Sequence, residues 1–271
     1  MHADAFTSLQ VELLERTAYS VRDPVRAHAL GITLERQRGV HAIGSDRRAD
    51  FDTWPGVLAY TPPGVEVFSE SASGGEYLVV RWTSDAYAET AINANERVQW
   101  TGSSQALQAA HALRRLLLAR ERDTLAIEQA ALTFMNVKRQ KAVIPSPNMR
   151  ATYARVLDRI VSEFDQPLTI AQLALSEGRT PLNFLREFTR MVGMTPHAFI
   201  IETRVQAARA LMKRNAASLA AIAADCGFAH QSHMGTAFRK VLGQTPGQYR
   251  SALPASNALH RQMQFPPEPL A

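Results

Sequence analysis

The chain has 271 residues, of which 46% are hydrophobic, enough for one large core or two ordinary ones, and its length favours two domains. It contains no run of eighteen apolar residues and no basic start followed by a long apolar block, so we expect neither a membrane span nor a secretory signal. The single cysteine, Cys226, excludes an intrachain disulfide framework and four-thiolate metal sites. These properties predict a cytoplasmic protein.

The formal net charge of +5 is unevenly distributed along the chain. From Asn148 onward there are 14 lysines and arginines against 8 acidic residues, whereas the first 147 residues have 16 against 17. A basic C-terminal part favours an anionic partner such as nucleic acid. On charge alone, an arginine-rich solvated surface is an equally good explanation.

The first hundred residues have the pattern of β-structure. Short segments such as "HALGITLERQ", "GVLAYTPPG", "VEVFSES" and "EYLVVRW" are rich in β-branched or aromatic residues and are separated by Gly, Pro, Ser and Asp. This pattern predicts a barrel or sandwich over about residues 20–102.

Two helices are predicted next, over about residues 104–139. The first opens with serines suited to capping and carries an apolar stripe that includes Leu107 and Leu113. The second opens with Asp123 and Thr124. The pair either closes the core of the β-domain or packs against a second subunit.

A proline-rich segment divides the chain into two predicted domains. "KAVIPSPNMR" contains two prolines, which block helix continuation, and predicts a linker over residues 141–149. The N-terminal domain is therefore expected at 1–140 and the C-terminal domain at 150–250. The aperiodic residues 251–271 are expected to form a loose tail.

The C-terminal domain contains an internal repeat. "LTIAQLALSEGRTPLNFLREFTRMVGMTP" is similar to "SLAAIAADCGFAHQSHMGTAFRKVLGQTP", with Gly178 matching Gly227 at an offset of 49 and Phe188 matching Phe238 at an offset of 50. The second copy therefore has one extra residue just after its glycine, at a turn, where an insertion is tolerated.

Each copy has the pattern of a helix-turn-helix unit. A short helix with small residues precedes a glycine-centred turn, and Thr180 and Pro181 are suited to start the second helix of the first copy. Such a second helix can enter the DNA major groove. A plain helical hairpin is the alternative, and the two copies together with the basic charge favour DNA binding.

The segment from Leu168 to Arg250 closely resembles the DNA-binding domain of the AraC/XylS family of bacterial transcription regulators. The residues that carry the resemblance are Ala223, Gly227, Phe228, Gln231, Ser232, Phe238, Gly243, Thr245, Pro246, Tyr249 and Arg250. The resemblance implies seven helices, with helix-turn-helix units at 168–193 and 218–243 joined by a long helix over "PHAFIIETRVQAARALMKRN". It also implies an N-terminal cupin-like barrel that binds an effector and dimerises, giving an α+β multidomain fold class.

The resemblance also implies which residues face the DNA. The candidate DNA-binding residues are Leu182, Asn183, Arg186, Arg190, His230, Gln231, Ser232, Thr236, Arg239 and Lys240. Arg186 is suited to guanine and Gln231 to adenine, whereas Arg190, Arg239 and Lys240 are placed for phosphate. The sequence departs from the family at Gly235 and Thr236, where an arginine is common at the second position. We therefore expect the second reading helix to contribute less specificity.

The N-terminal domain lacks the metal-binding pattern of enzymatic cupins. No second histidine follows His41 two residues on, and Val-Glu-Val follows Pro63-Gly64, so a metal-dependent cupin enzyme is not expected. The candidate effector-binding residues are His28, Arg38, Trp54, Tyr60 and Trp82. An inward-facing aromatic residue in a small barrel is more often part of the core than of a ligand site.

The sequence thus favours a DNA-binding transcription regulator, expected to be an activator, that responds to a small molecule of unknown identity. Double-stranded DNA, RNA polymerase and a second copy of the chain are the expected partners, with no cofactor, metal or enzymatic activity. A regulator without an effector, controlled by its abundance or by a protein partner, is the alternative. A DNA-repair methyl acceptor would need a reactive cysteine outside the helix-turn-helix, and Cys226 lies in the turn region among alanines.

Overall fold

The computed structural model describes residues 2–5, 9–24, 26–83, 87, 95–101, 104–137, 146–214 and 217–253. Its N-terminal part is rich in β-strands and its C-terminal part is helical. The strands of the described residues are β1 (His2–Ala5), β2 (Leu9–Leu14), β3 (Tyr19–Pro24), β4 (His28–Thr33), β5 (Gln37–Ile43), β6 (Ala49–Thr53), β7 (Val57–Thr61), β8 (Glu66–Ser71), β9 (Tyr77–Trp82) and β10 (Val98–Thr101).

A six-stranded sheet in the order β1-β2-β9-β4-β7-β10 forms the larger layer. The pairs described within it are antiparallel, with Leu30 opposite both Tyr60 and Val80. Because side chains alternate along a strand, one face of this sheet carries the large apolar residues. That face packs against the two helices that follow the strands and forms one continuous core with them.

The four-stranded sheet, in the order β3-β8-β5-β6, is separate from the larger one. The strand pattern left both a barrel and a sandwich open, and the family resemblance implied a barrel. Among the described residues the two sheets do not close into a single barrel. The β-structure also begins before residue 20, because Leu9, Val11 and Leu13 alternate with polar residues and bury their side chains on β2.

Helices α1 (Ser104–Leu117) and α2 (Thr124–Met135) confirm the predicted helix pair. The carboxylate of Asp123 caps α2 by accepting a hydrogen bond from the backbone of Ala126. Both helices bury apolar stripes in the same core, including Leu107 and Leu113 of α1 and Phe134 of α2.

Seven helices follow within the described C-terminal residues, as the resemblance implied. They are α3 (Pro147–Ser162), α4 (Ile170–Ser176), α5 (Pro181–Val192), α6 (Pro196–Arg214), α7 (Leu219–Asp225), α8 (Gln231–Leu242) and α9 (Pro246–Ala252). The long α6 lies between the two helix-turn-helix units, α4–α5 and α7–α8, and contacts helices of both.

The turns of the two units differ by the one residue that the repeat predicted. Gly178 and Gly227 both have positive φ values, 63° and 72°. The capping residue Thr180 follows Gly178 by two positions, whereas the capping residue His230 follows Gly227 by three. Glycine is the residue that adopts this conformation at least cost, so each turn is set by local sequence.

The predicted linker and tail are only partly described. Helix α3 begins at Pro147, inside the predicted linker, because the hydroxyl of Ser146 caps it and proline is accepted at the first helical position. Helix α9 ends at Ala252, and residues 141–145 and 254–271 lie outside the described part of the chain. Over the part that is described, none of the helices has the length and apolarity needed to cross a membrane.

Candidate nucleic-acid interface

Helix α5 presents a polar face in the first helix-turn-helix unit. Thr180 caps the helix by accepting a hydrogen bond from the backbone of Asn183, and Pro181 occupies the first turn, as predicted. Leu182, Asn183, Arg186 and Arg190 are exposed, with Leu182 at 55%. Asn183, Arg186 and Arg190 follow Leu182 by one, four and eight residues, which places the four side chains along one side of the helix.

The opposite side of α5 is fixed by aromatic packing. Phe184 and Phe188 are fully buried and contact the ring of Tyr153 on α3, at centroid distances of 5.9 and 6.1 Å. The hydroxyl of Tyr153 donates to Glu187 at 2.9 Å, and Arg179 donates to the same carboxylate at 3.2 Å. Arg179 compensates the negative charge of Glu187, so Glu187 has a cationic partner other than its chain neighbour Arg186.

Helix α8 begins with an unusual cap in the second unit. Nδ1 of His230 accepts a hydrogen bond from the backbone of His233 at 3.1 Å, so this imidazole replaces the usual hydroxyl or carboxylate. His233 is half-buried and packs edge-to-face on Phe228 at 5.4 Å. The two histidines therefore have structural contacts, and no group of three metal-ligating side chains occurs among the residues that the structure describes.

The exposed face of α8 carries few groups that are free to read bases. Gln231, Ser232 and Thr236 are exposed, but the hydroxyl of Thr236 donates to the carbonyl of Ser232 at 3.2 Å. Gly235 precedes Thr236, and a Cβ added there would meet no atom within 4 Å outside the helix backbone. Arg239 and Lys240 are exposed in the second half of the helix. The charges that α8 offers to DNA are therefore those of Arg239 and Lys240.

Helix α1 of the N-terminal part contacts the C-terminal ends of both reading helices. Leu107 lies 2.7 Å from the point that a Cβ on Gly193, which ends α5, would occupy, and Arg115 lies 3.4 Å from the equivalent point on Gly243, which ends α8. Gln244 donates to the carbonyl of Leu118 at 3.2 Å. The capping glycines thus permit the N-terminal part to approach the DNA-binding units closely while their N-terminal halves stay exposed.

A buried cluster of charges joins the two parts of the chain. Arg114 of α1 donates to Glu76 at 2.7 Å and to Glu202 of α6 at 2.6 and 3.0 Å. Arg209, also on α6, donates to the other oxygen of Glu76 at 2.6 Å, and Gln206 donates to both glutamates. These side chains are at most 8% exposed, and the two arginines balance the two glutamates.

The buried cluster shifts the pKa values of its own side chains and of the titratable groups beside it. Burial would raise the pKa of Glu202, but the charge and hydrogen bonds of Arg114 outweigh it and hold this pKa at about 2. Burial and then Arg114 lower the pKa of His111 to about 4. Burial and the negative charge of Glu76 raise the pKa of Glu35 to about 7, although Arg16 and the backbone N–H of Glu76 oppose this.

The candidate effector residues fall into two separate places. His28, Tyr60 and Trp82 come together: Nδ1 of His28 lies 2.7 Å from the hydroxyl of Tyr60, and its ring stacks on Trp82 at 5.3 Å. Tyr60 and Trp82 belong to the core that packs against α1 and α2. These three residues therefore lie on the helix side of the six-stranded sheet.

Arg38 and Trp54 instead contact the C-terminal part. Arg38 donates to both carboxylate oxygens of Asp158 on α3, at 2.7 and 2.8 Å. Trp54 is 2% exposed, packs in the core of the first helix-turn-helix unit, and lies under the guanidinium of Arg150 at 4.7 Å. The five residues do not line a common site, and sequence patterns carry no signal for which of them meet another domain.

Comparisons with known proteins agree with this geometry. A family model described as a helix-turn-helix domain matches residues 173–252. The transcriptional regulator MtrA of Neisseria gonorrhoeae is 27% identical over 95 residues, which are 35% of this chain and 32% of MtrA. The transcriptional activator RhaR of Klebsiella pneumoniae is 23% identical over 159 residues, 57% of each chain. The chain thus spans about a third of the length of MtrA and just over half of that of RhaR.

Among solved structures, the DNA-binding domain of AdpA in complex with a target DNA is 27% identical, covers 36% of this chain and 89% of that chain, and has a TM-score of 0.36. Two helix-turn-helix units bracketing a long helix define a double helix-turn-helix domain of the DNA-binding type. Residues 173–252 are thus similar to the helix-turn-helix domain of AraC-type transcription regulators.

Proposed function

We propose that the chain is a sequence-specific transcription regulator, acting in the cytoplasm as an activator, whose N-terminal part responds to a small molecule. The observation that carries the DNA-binding part is the pair of capped reading helices with exposed polar and basic faces. Each face lies opposite a fully buried apolar one, so both helices are held rigidly while the polar side stays free.

Recognition is proposed to divide between the two helices. Arg186 on α5 is the side chain best suited to a bidentate contact with guanine. On α8, Gln231 and Ser232 offer short polar groups, and Arg239 and Lys240 offer charge for phosphate. For both helices to reach successive major grooves, their reading faces must be about 34 Å apart, one turn of DNA.

The N-terminal part is proposed to be a cupin-like sensor that forms a homodimer, and activation is proposed to occur through contact of the protein with RNA polymerase. A signal from the β-sheets would reach the DNA-binding units through α1, since this helix contacts the glycines that end both reading helices. The buried pairs of Arg114 with Glu76 and Glu202 make this connection stiff, because each charge is compensated only while both parts stay together.

A binding-site selection from random DNA tests the proposal. The purified chain should enrich sites with two conserved segments about one helical turn apart, and its affinity should fall steeply with salt because bound cations displace counterions from phosphate. Enrichment of a single segment, or of none, would contradict the use of both reading helices.

A regulator controlled by a protein partner instead of an effector is the second candidate. Leu125 on α2 is 73% exposed and borders a shallow groove with Leu132 and Glu128, which supports contact with another protein at this helix. Sedimentation of the purified chain separates self-association, in which the mass doubles, from a requirement for a different partner.

A further inference from the structure

The two reading helices are packed into different cores. Helix α8 buries Phe238 and Leu242 in the core that also contains the apolar residues of the six-stranded sheet, α1 and α2. Helix α5 buries Phe184 and Phe188 in the core of α3 and α4, to which the described N-terminal residues add the buried ring of Trp54. The second helix-turn-helix unit is therefore the more deeply joined to the N-terminal part.

Glu76, in the connection between β8 and β9, is the acid at which this junction is fixed. Its side chain is 1% exposed. One carboxylate oxygen, Oε2, accepts from Arg114 of α1 at 2.7 Å, and the other, Oε1, accepts from Arg209 of α6 at 2.6 Å. The carbonyl oxygen of Glu76 accepts from the backbone N–H groups of Leu34 and Glu35, at 2.9 and 3.2 Å. The backbone of Glu76 is thus held by the β-structure while its side chain holds two helices.

Arg114 extends this contact to the backbone of the second reading helix. Its Nη2 donates to the carbonyl oxygen of Val241 at 3.2 Å. Val241 lies in the last turn of α8, where carbonyl groups have no partner within the helix, and a cation is favourable at this negative end of the helix dipole. Because Glu76 and Glu202 fix the guanidinium of Arg114, they also fix the end of α8.

Arg209 reaches the buried side of α8 through an aromatic pair. Its Nε donates to the hydroxyl of Tyr249 on α9 at 3.3 Å, and its guanidinium lies over the ring of Tyr249 at 5.4 Å. Tyr249 packs edge-to-face on Phe238 of α8, with ring centroids 6.1 Å apart. Glu76 is therefore connected to α8 by two routes, one through Arg114 to the backbone and one through Arg209 to the apolar face.

The first helix-turn-helix unit is held differently. Among the described residues, the side-chain hydrogen bonds between the N-terminal part and this unit end on α3. Arg36 donates to the carbonyl of Ala154 at 3.1 Å and to Asp158 at 3.0 Å, and Arg38 donates to Asp158 at 2.7 Å. The side chains of Arg38 and Asp158 are 53% and 52% exposed, so water competes for their pairing. These polar contacts reach α5 only through α3, whereas those of Glu76 reach α8 itself.

We propose that Glu76 is a positioning residue for the second reading helix, fixing the orientation of α8 through Arg114 and Arg209. The inference rests on the proposed DNA binding, and it assigns control of the second half of the DNA contact to the N-terminal part. A movement of the loops that hold Glu76 would then change how α8 meets DNA while leaving α5 in place.

The dimensions of α8 make its DNA-facing end sensitive to this anchor. The helix has 12 residues and is therefore about 18 Å long. The two routes from Glu76 end in its C-terminal half, whereas Gln231 and Ser232 lie at its N-terminal end. A tilt of about 10° about the anchored end would move the other end by roughly 3 Å. That movement exceeds the roughly 0.5 Å within which a binding constellation must be held.

Binding of the purified full chain to three DNAs tests the assignment. One DNA carries both segments of the selected site, and each of the other two lacks the segment that contacts one reading helix. The segment at which Arg186→Ala changes the base preference belongs to α5. A segment is removed rather than scrambled because Arg239 and Lys240 of α8 are proposed to contact phosphate, which every sequence offers.

Glu76→Gln should weaken binding to the full site, and to the DNA without the α5 segment, by roughly 10-fold. It should leave binding to the DNA without the α8 segment within about twofold of the wild type. Asp158→Asn is the matched control, since it is also a change from carboxylate to amide where the two parts meet, but on α3. It should leave binding to the DNA without the α5 segment unchanged.

The comparison between DNAs separates positioning from stability, because a loss of folded protein weakens binding to all three by the same factor. Tyr249→Phe gives a second, milder test: it removes only the hydroxyl that Arg209 reaches and should shift the same ratio in the same direction. It decides the question if Glu76→Gln does not fold. Hydrogen exchange of the full chain without DNA adds a direct measurement, in which Glu76→Gln should speed exchange in α8 and not in α5.

Two results would overturn the inference: both shortened DNAs lose affinity by the same factor in Glu76→Gln and in Tyr249→Phe, or neither variant changes binding to the α8 segment or exchange in α8. A wild-type chain that binds none of the three DNAs contradicts the proposed function instead. The exchange measurement then still shows whether Glu76 holds α8.

Discussion

Arg114 of α1 and Glu202 of α6 form a two-hydrogen-bond ion pair between side chains that are 0% and 7% exposed. The residues are 88 positions apart in the chain and belong to different parts of the protein. With Glu76 and Arg209, they place buried charges at the interface between the β-rich N-terminal part and the helix-turn-helix units, with little access to water.

Removing one partner of the pair should be strongly destabilising. Arg114→Met leaves Glu76 and Glu202 buried without their shared cation, and we expect the free energy of unfolding to fall by about 3–5 kcal/mol. Urea unfolding followed by circular dichroism measures it. Arg159→Gln is the control, since Arg159 and Glu163 form a half-buried pair, with side chains 35% and 42% exposed, for which the expected loss is within about 1 kcal/mol. Equal losses in the two variants would contradict a special role for the buried pair.

Glu35→Gln should change how stability depends on pH. The folded protein holds the pKa of Glu35 at about 7, above its ordinary value of 4.5, so the folded state binds the proton more tightly than the unfolded chain. Ionisation of Glu35 therefore lowers stability as pH rises from about 5 to 7, by an amount on the order of 1–3 kcal/mol. The glutamine keeps an acceptor for the backbone of Glu76 and should be the more stable protein at pH 8.

Unfolding curves for wild type and Glu35→Gln between pH 5 and 8 measure that difference, with Glu163→Gln, at a half-buried glutamate, as the control. His111 has a lowered pKa of about 4, so its effect on stability has the opposite sign: stability is lost as pH falls below about 6.5. It is present in both proteins and cancels in the comparison. A constant difference across the whole range would show that Glu35 does not titrate there.

Arg186 and Thr236 should differ in their effect on DNA specificity. Arg186→Ala removes a free guanidinium from α5 and should cost about 1–3 kcal/mol at one base pair of the selected site. Thr236→Ala should change little, because that hydroxyl already donates to the carbonyl of Ser232. Affinities for a set of single-base operator variants measure both, and the opposite ranking would contradict the assignment.

Arg190→Ala provides the matched comparison on the same helix. Arg190 lies in the last turns of α5 and should contact phosphate, so its loss should weaken all operator variants equally and reduce the salt dependence by about one unit of slope.

Two glycines should respond to alanine in opposite directions. Gly235→Ala places a methyl where no atom beyond its chain neighbours and the nearby helix backbone lies within 4 Å, and it should stabilise the protein by up to about 1 kcal/mol through helix propensity. Gly227→Ala should destabilise it, because φ is +72° and the added Cβ would come within 2.6 Å of the backbone of Asp165. Thermal unfolding measures both. Weaker DNA binding by the stable Gly235→Ala variant would assign this glycine to the DNA interface.

The C-terminal domain was largely predictable because its signals are local. Thr180 and Pro181 start α5, Gly178 and Gly227 form the turns, and the repeat even located the extra residue of the second turn. Each of these features depends on a residue's own backbone preference and on neighbours within a few positions.

The N-terminal part was predicted less well. Its strands were recognisable by composition, but their division into two sheets depends on pairing between distant segments, such as β2 with β9 and β4 with β9. The candidate effector residues show the same limit. His28 and Trp82 share one face, whereas Arg38 and Trp54 meet α3, and no periodicity in the sequence distinguishes the two groups.

The sequence by itself predicted the double helix-turn-helix domain, whose residues 173–252 match a helix-turn-helix family model. Only the tertiary structure decided how that domain is attached to the β-sheets and how Glu76 is connected to α8. Arg209 reaches Glu76 across 133 positions, and Arg114 reaches Val241 across 127. These long-range hydrogen bonds depend on how whole sheets and helices pack, because burial of a charge is stabilising only where its partner is already in place.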